Sequence, residues 1–184
     1  MELRAARGRE FREMKRIYLE AFPKIERKPF TMMKKKARQG TMEMLSVLDD
    51  GRLIGLAVTV LYKDLVLLDY FAIAEDCRGR GRGSEALRLV KERYQDKRLI
   101  LEIELPKGNL RKRHECIRRK RFYLKNGMQE TGIRAMVFCV PMEVLTAGSG
   151  MTYREYHKIY ENTIGIFFAK RVSELPEVDA GESE

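Results

Sequence analysis

The chain has 184 residues, a formal net charge of +10, three cysteines and two histidines. This length suits one domain with a sizeable core, and no apolar run in the chain approaches the length of a membrane span. The cysteines are scattered and the N-terminus lacks a signal-peptide core. We therefore expect a reduced, cytoplasmic protein without a disulfide framework, a membrane segment or a metal site.

Hydrophobic spacing and turn residues predict alternating helices and strands in the first half of the chain. Met14, Ile17 and Tyr18 have the spacing of one buried helix face. Asp49-Asp50-Gly51 is expected to close a hairpin between the second and third strands. The expected elements are a strand over 1–6, helices over 9–21 and 30–38, and strands over 41–48, 53–62 and 65–73.

The second half continues this pattern and ends in a helix. The expected elements are helices over 84–94 and 112–125, a strand over 99–105, two strands over 128–138 and 142–145 that turn around Val140-Pro141, and a last helix from 152 to 169. We expect an α/β (α+β) domain over 1–147, a helical extension over 148–173 that packs on this domain, and an acidic, disordered tail over 174–184.

A loop rich in glycine and arginine separates the strand over 65–73 from the helix over 84–94. The loop consists of Arg78, Gly79, Arg80, Gly81, Arg82, Gly83 and Ser84. Glycines let the backbone bring its N–H groups against a ligand, and the helix that follows adds unpaired N–H groups and the positive end of its dipole. Arginines add donors suited to phosphate. The pattern therefore predicts an anion-binding loop of the kind that holds a diphosphate.

Three other interpretations of this loop stay open. Arg-Gly repeats occur in disordered RNA-binding segments, although those are long and lack flanking strands and helices. The run from Gly81 to Ala86 fits the G-x-G-x-x-A turn of dinucleotide-binding folds, with Glu102 near the spacing of the ribose-binding acid. However, the polar stretch over 74–80 separates this turn from its strand. The third interpretation is a solvated turn without a ligand.

Two motifs together resemble those of the GCN5-related N-acetyltransferase (GNAT) superfamily. Arg78, Gly81 and Gly83 fit the signature Q/R-x-x-G-x-G/A, and the run from Arg118 to Met128 is similar to R-R-x-x-F-Y-x-x-x-G-F. The resemblance covers residues 3–145, with Met128 in place of the usual Phe. It implies a GNAT fold, in which a mixed, mostly antiparallel sheet of about seven strands, with the fourth and fifth splayed, is flanked by helices and followed by a C-terminal helix.

The resemblance implies that acetyl-coenzyme A is the co-substrate. Its pantetheine arm would lie along the fourth strand at Phe71, Ala72 and Ile73, where an N–H group of Ala72 or Ile73 would stabilise the oxyanion. Its diphosphate would bind the N–H groups from Gly79 to Ser84. Arg78 would either support this contact or be a solvated loop residue.

The same resemblance assigns Tyr123 the role of general acid, which gives a proton to the departing thiolate of coenzyme A. A phenol suits this role because it stays protonated at neutral pH. The alternative for Tyr123 is packing against the cofactor without proton transfer.

The general base that accepts the amine proton has three candidates, in the order Glu104, Asp69 and Glu102. The two glutamates share one face of the strand over 99–105, and Asp69 lies on the preceding strand, where it would alternate with Tyr70. Carboxylates within apolar strands are costly unless they are solvated or paired, which favours a wet cleft. The structural alternative is an ion pair between either glutamate and an arginine of the helix that follows.

Two functions of other classes stay open: a module that senses acyl-coenzyme A without catalysis, and a basic RNA- or ribosome-associated protein that uses residues 107–121. A nucleic-acid partner is not expected, because aromatic residues do not alternate with the basic ones there. The expected acceptor is a small-molecule or peptide amine. A membrane partner is not expected, and a homodimer is compatible with the fold.

Overall fold

The computed structural model describes residues 1–176, which divide into two compact units. The first unit is Met1–Leu99, and the second begins at Ile100. The expected boundary between domain and helical extension, after residue 147, falls inside the second unit. Residues 177–184 of the expected acidic tail lie outside the described residues.

The first unit contains four strands and three α-helices. They are β1 (Glu2–Ala5), α1 (Glu10–Ala21), α2 (Phe30–Arg38), β2 (Met42–Asp49), β3 (Arg52–Tyr62), β4 (Leu65–Ile73) and α3 (Arg82–Arg93). Short 3-10 turns cover Lys24–Glu26 and Glu75–Cys77. The strands lie in the order β1-β2-β3-β4, and each neighbouring pair is antiparallel.

The β2–β3 hairpin forms because its two-residue turn accepts a left-handed backbone. Asp50 and Gly51 have φ values of 48° and 77°, the combination that this tight turn requires and that an Asp-Gly pair supplies. β3 is then buried without interruption from Leu53 to Val60, as expected of a central strand. α1 contacts β3 and β4, with Met14 and Ile17 fully buried. The predicted hairpin is confirmed, and the core of the first unit lies along β3.

A β-bulge interrupts the β3–β4 pair. Tyr70 pairs with Val58 and Leu68 pairs with Thr59, so Asp69 is an extra residue on β4. An extra residue bends its strand and re-aims its side chain. Asp69 and Tyr70 therefore do not follow the simple alternation that the sequence predicts.

The second unit carries four strands in the order β5-β7-β6-β8, also antiparallel. Its first strand starts two residues before the unit boundary. The elements are β5 (Arg98–Glu104), α4 (Leu110–Lys125), β6 (Gln129–Val137), β7 (Val140–Thr146), α5 (Tyr153–Ile164), α6 (Ile166–Ala169) and β8 (Val172–Glu174).

The turn between β6 and β7 differs from the predicted one. Phe138 and Cys139 form it, with φ values of 47° and 68°, and Val140 and Pro141 begin β7. Both turn residues adopt the left-handed backbone of a tight hairpin without the glycine or asparagine that usually marks it. The sequence therefore carries no signal for this turn.

The predicted last helix is interrupted at Gly165, whose φ of 86° separates α5 from α6. The chain then pairs β8 with β6, and Glu174 lies opposite Ala135. Glu174, expected in a disordered tail, therefore belongs to a strand. β8 makes the number of strands in residues 1–176 one greater than expected. No helix in those residues is long and apolar enough to span a bilayer.

Gly55→Ala tests the tight contact between β3 and β4. A Cβ atom at Gly55 would lie 2.6 Å from the backbone oxygen of Ala72 and 2.8 Å from Cδ1 of Ile73. Because these strands are paired, the backbone cannot move away freely. We expect the free energy of unfolding, measured by urea denaturation, to fall by about 1–3 kcal/mol.

Gly150→Ala is the matched control, because a Cβ atom there would meet nothing within 4 Å. Its free energy of unfolding should stay within about 0.5 kcal/mol of the parent value. Equal stability of the two variants would contradict the close contact at Gly55.

Candidate active site

Three consecutive residues with left-handed backbone precede α3. Gly79, Arg80 and Gly81 have φ values of 86°, 53° and 75°. Residues with side chains rarely adopt such values, and Arg80 does so between two glycines. A Cβ atom on Gly79 or Gly81 would meet no atom within 4 Å. Backbone conformation, and not crowding, therefore explains why glycine suits these positions.

α3 begins inside this loop, and the predicted start at Ser84 is wrong by two residues. The N–H group of Arg82 donates to the oxygen of Gly79 at 3.2 Å, which turns the chain into the helix earlier. No side chain caps this N-terminus. Because first-turn N–H groups have no partner within a helix, those of Gly83 and Ser84 suit an anion, and the helix dipole adds positive potential.

The three arginines of the loop differ in their contacts. Arg78 Nε donates to the oxygen of Ile73 at 3.1 Å, so this side chain folds back on the end of β4. Arg82 Nε donates to Oδ2 of Asp49 at 3.1 Å and anchors the loop to the β2–β3 hairpin. Arg80 is exposed. Two of the three arginines therefore hold the loop in shape.

Asp69, at the β4 bulge, is bound by a lysine from the segment between α1 and α2. Lys28 Nζ lies 2.7 Å from both carboxylate oxygens of Asp69. The Asp69 side chain is 8% exposed and the Lys28 side chain 25% exposed. Burial, and secondarily the charge of Asp69, raises the pKa of Tyr70. The carboxylate thus faces an ammonium group in a largely dry environment.

The β4 residues that are expected to meet pantetheine, Phe71 to Ile73, follow Tyr70 along the strand. Phe71 and Ala72 are half-buried and Ile73 is buried, opposite Ala57, Leu56 and Gly55 of β3. They belong to the first unit, as do the glycine loop and Asp69.

Glu102, in β5, accepts hydrogen bonds from two tyrosines of α5. The Oη atoms of Tyr156 and Tyr160 each donate to Oε1 of Glu102 at 2.5 Å. Burial, followed by the charge of Glu102, raises the pKa of Tyr156 well above its usual value. The Tyr156 phenol therefore stays protonated, and the hydrogen bonds from both phenols stabilise this carboxylate.

Glu104, two residues further along β5, contacts α4. Lys112 Nζ lies 3.3 Å from Oε2 of Glu104, whose side chain is 11% exposed. Cys116 Sγ donates to the same oxygen at 3.8 Å. Burial, and then the Glu104 charge, raises the pKa of the Cys116 thiol. A glutamate thus does pair with the following helix, but with a lysine where an arginine was expected.

Tyr123 lies in the last turn of α4 and is 8% exposed. Burial raises the pKa of its phenol to about 12, so the proton stays on the oxygen at neutral pH. Its ring meets that of Phe122 edge-on at 5.2 Å. The left-handed Gly127, with a φ of 80°, follows the end of this helix.

α4 itself is strongly basic. Eight of its sixteen residues are lysine or arginine, and Glu115 is its one acid. Asn109 caps its N-terminus by accepting a hydrogen bond from the N–H group of Lys112 at 3.0 Å. The first turn contains no acidic residue.

Sequence reasoning did not identify the partners of the carboxylates. Lys28 is separated from Asp69 by 41 residues, and Tyr156 from Glu102 by 54. The spacing of Tyr156 and Tyr160 marks a helix face but does not say what that face meets. Among residues 1–176, no group of three or more His, Cys, Asp or Glu side chains is placed to hold a metal ion.

A family model described as the acetyltransferase (GNAT) family matches residues 11–127. This segment contains the glycine loop, the three carboxylates and Tyr123. A search of the curated proteins found no match.

Solved structures of acetyltransferases have folds similar to that of the chain. A protein described as a GNAT-family acetyltransferase from Bacteroides thetaiotaomicron superposes with a TM-score of 0.75 and 19% identity, over 92% of this chain and 99% of the other. An aminoglycoside 6'-N-acetyltransferase complexed with coenzyme A superposes with a TM-score of 0.61 and 11% identity, over 83% of this chain and 100% of the other. A GNAT-family acetyltransferase from Elizabethkingia anophelis with acetyl-CoA bound superposes with a TM-score of 0.52 and 16% identity, over 80% of this chain and 97% of the other. These likenesses confirm the expected fold.

Glu102→Gln tests whether the two phenols stabilise the fold through the charged carboxylate. Hydrogen bonds to a charged group contribute about 1.5–3 kcal/mol, so the variant should lose about that much unfolding free energy in urea denaturation. In a background that carries Tyr156→Phe and Tyr160→Phe, the same change should cost much less. Equal costs in both backgrounds would show that the contact contributes little.

Proposed function

The chain belongs to the GNAT family of acetyltransferases, and we propose on this premise that it is an N-acetyltransferase. It moves an acetyl group from acetyl-coenzyme A to a primary amine of a small molecule or peptide. The transfer is direct, without a covalent enzyme intermediate. No metal takes part in this scheme.

The observation that carries the proposal is the anion cradle at the start of α3. Gly79, Arg80 and Gly81 hold a left-handed turn that leads into a helix N-terminus without a side-chain cap. The N–H groups from Gly79 to Ser84, except that of Arg82, which donates to Gly79, then bind the diphosphate of coenzyme A at the positive end of the helix dipole. Arg80 is free of the anchoring contacts of Arg78 and Arg82 and adds charge.

Pantetheine lies along the backbone of β4 at Phe71, Ala72 and Ile73. An N–H group of Ala72 or Ile73 donates to the oxyanion that forms when the amine attacks the thioester carbonyl. The bulge at Asp69, two residues before Phe71, supports this assignment, because bulges are frequent beside active sites.

Tyr123 serves as the general acid for the thiolate. Its burial and its pKa of about 12 support the role, because a phenol that is fully protonated at neutral pH can donate to sulfur. The alternative role, packing against the cofactor, would not depend on the phenol proton.

Asp69 becomes the first candidate for the general base, ahead of Glu104 and Glu102. Asp69 lies on β4, two residues before Phe71, and already binds a primary amine, that of Lys28. Glu102 has two phenols on one oxygen, and Glu104 has Lys112 and Cys116 on one oxygen. The phenols give Glu102 a structural role, and both glutamates lie on β5 and not on the strand assigned to pantetheine.

The remaining expectations accompany the proposal. We place the protein in the cytoplasm, with a possible homodimer, and treat residues 1–147 as the catalytic domain. The fold of relatives does not identify the acceptor, so a panel of amines is the appropriate screen.

Gly83→Asp tests the cradle. An acidic side chain in the first turn of α3 interacts favourably with the positive end of the helix dipole, so the fold should persist. A negative charge beside a diphosphate is repelled, and the affinity for coenzyme A should fall about 100-fold or more by calorimetry. Gly83→Asn has nearly the same shape without the charge and is the matched control. Equal affinity of the two variants would refute the charge argument, and unchanged affinity in both would refute the location.

Tyr123→Phe tests the general acid. Removing one hydroxyl should lower turnover with an added amine by about 100-fold or more, because proton donation to the thiolate is lost. The affinity for acetyl-coenzyme A should change little, since the ring stays in place. Release of free thiol measures turnover, and calorimetry measures affinity. Parental turnover in this variant would limit Tyr123 to packing.

A further inference from the structure

Lys28 presents its amine to a carboxylate inside the proposed site. Its Nζ lies 2.7 Å from both oxygens of Asp69 and 5.7 Å from the centre of the Tyr70 ring. A carboxylate and an aromatic face are together a binding site for a primary ammonium group. The chain therefore fills an amine site with one of its own side chains.

The backbone of Lys28 is fixed as firmly as its side chain. Its N–H group donates to Oη of Tyr70 at 3.1 Å, and its carbonyl oxygen accepts from Oη of Tyr18 at 3.0 Å. Tyr70 Oη in turn donates to the oxygen of Glu26 at 2.7 Å. The segment between α1 and α2 is thereby fastened to β4, and the amine is held in one place.

The held amine is close to the strand that we assign to pantetheine. Asp69 precedes Phe71 by two residues, a step of about 7 Å along a strand. The Lys28 side chain is 25% exposed, so it can be reached from solvent. We propose that Lys28 is an acetylation site of this chain, modified intramolecularly by acetyl-coenzyme A bound in the same molecule. This inference rests on the proposed function.

The reaction balances without another reactant. Asp69 takes one proton from the Lys28 ammonium group and later passes it to solvent. The neutral nitrogen attacks the thioester carbonyl, a C–N bond forms, and the C–S bond breaks. The thiolate takes its proton from Tyr123, and the second nitrogen proton returns to the phenol through solvent. The products are acetyl-Lys28, coenzyme A with a free thiol, and one proton.

Pre-organisation distinguishes Lys28 from exposed lysines. An amine held beside its base reacts as part of one molecule, which gives well-oriented groups effective concentrations far above those in solution. Lys120 offers a matched comparison on α4. Its amine is likewise paired with carboxylates, here two of them, Glu130 at 2.7 Å and Glu143 at 2.9 Å, and its side chain is 29% exposed. It differs in lying on α4, in the second unit.

Acetylation would change the site itself. The amide product carries no charge, so the ion pair with Asp69 is lost. The carboxylate of Asp69 is then left for the amine of an external acceptor.

The test is to incubate the full chain with acetyl-coenzyme A and no acceptor, and to follow the mass of the protein and of its peptides. We expect one acetyl group per chain, at Lys28, formed at a rate that is independent of protein concentration. Lys28→Arg keeps the positive charge and should remove this acetyl group. Asp69→Asn should slow it about 100-fold or more. Lys120→Arg should leave it unchanged.

Three results would overturn the inference. They are acetyl groups spread over many lysines at similar rates, a rate at Lys28 that rises with protein concentration, and a rate that Asp69→Asn does not change. Circular dichroism of each variant checks that it is folded, and Lys28→Gln is a second variant without an acetylatable amine.

Calorimetry and a thiol-release assay with added amines separate this inference from the proposed function. If the protein binds acetyl-coenzyme A and acetylates an added amine while Lys28 stays unmodified, the inference is wrong and the proposed function stands. If it neither binds acetyl-coenzyme A nor releases thiol, the proposed function is wrong and this inference falls with it.

Discussion

The extra residue at Asp69 is the constraint on which the geometry of the first unit's site depends. β3 and β4 pair regularly on both sides of it. Without it, the pairing would slip by one residue, and every side chain of β4 beyond that point would exchange faces. Tyr70, whose ring now meets Tyr18 and Phe22 edge-on at distances of 4.8 and 4.9 Å, would lose its buried place. The segment that carries Lys28 would then lose its attachment.

All three carboxylates proposed for proton transfer have protein partners of suitable chemistry. Asp69 has an ammonium group, Glu102 has two phenols, and Glu104 has a lysine and a thiol. A charge inside a strand is tolerated only with such compensation. The partner also decides what each carboxylate can do: a second amine can replace an ammonium ion, whereas buried phenols cannot leave without disturbing α5.

The sequence predicted the elements of the first unit well because their signals are local. The α2 and β4 bounds and the Asp50-Gly51 turn follow from glycine, from hydrophobic spacing and from the limits of the apolar runs. Features set by tertiary contacts could not be predicted. The bulge depends on register, and the contact between Lys28 and Asp69 depends on how two distant segments meet. The turn at Phe138 and Cys139 contains neither glycine nor asparagine. The pairing of β6 with β7 imposes its conformation, and this pairing cannot be read from the turn residues.

Repulsion between positive charges opposes the formation of helix α4. Three positive residues follow each other in its first turn, Arg111, Lys112 and Arg113, at the end where the helix dipole is also positive. One asparagine cap and few acids oppose this repulsion. The Debye screening length is about 10 Å at 0.1 M ionic strength, so dissolved salt weakens the repulsion between these charges and stabilises the helix. Tyr123 lies twelve residues further along, about 18 Å at the rise of an α-helix. The winding of the helix that carries the proposed acid is thus coupled to the salt content of the solution.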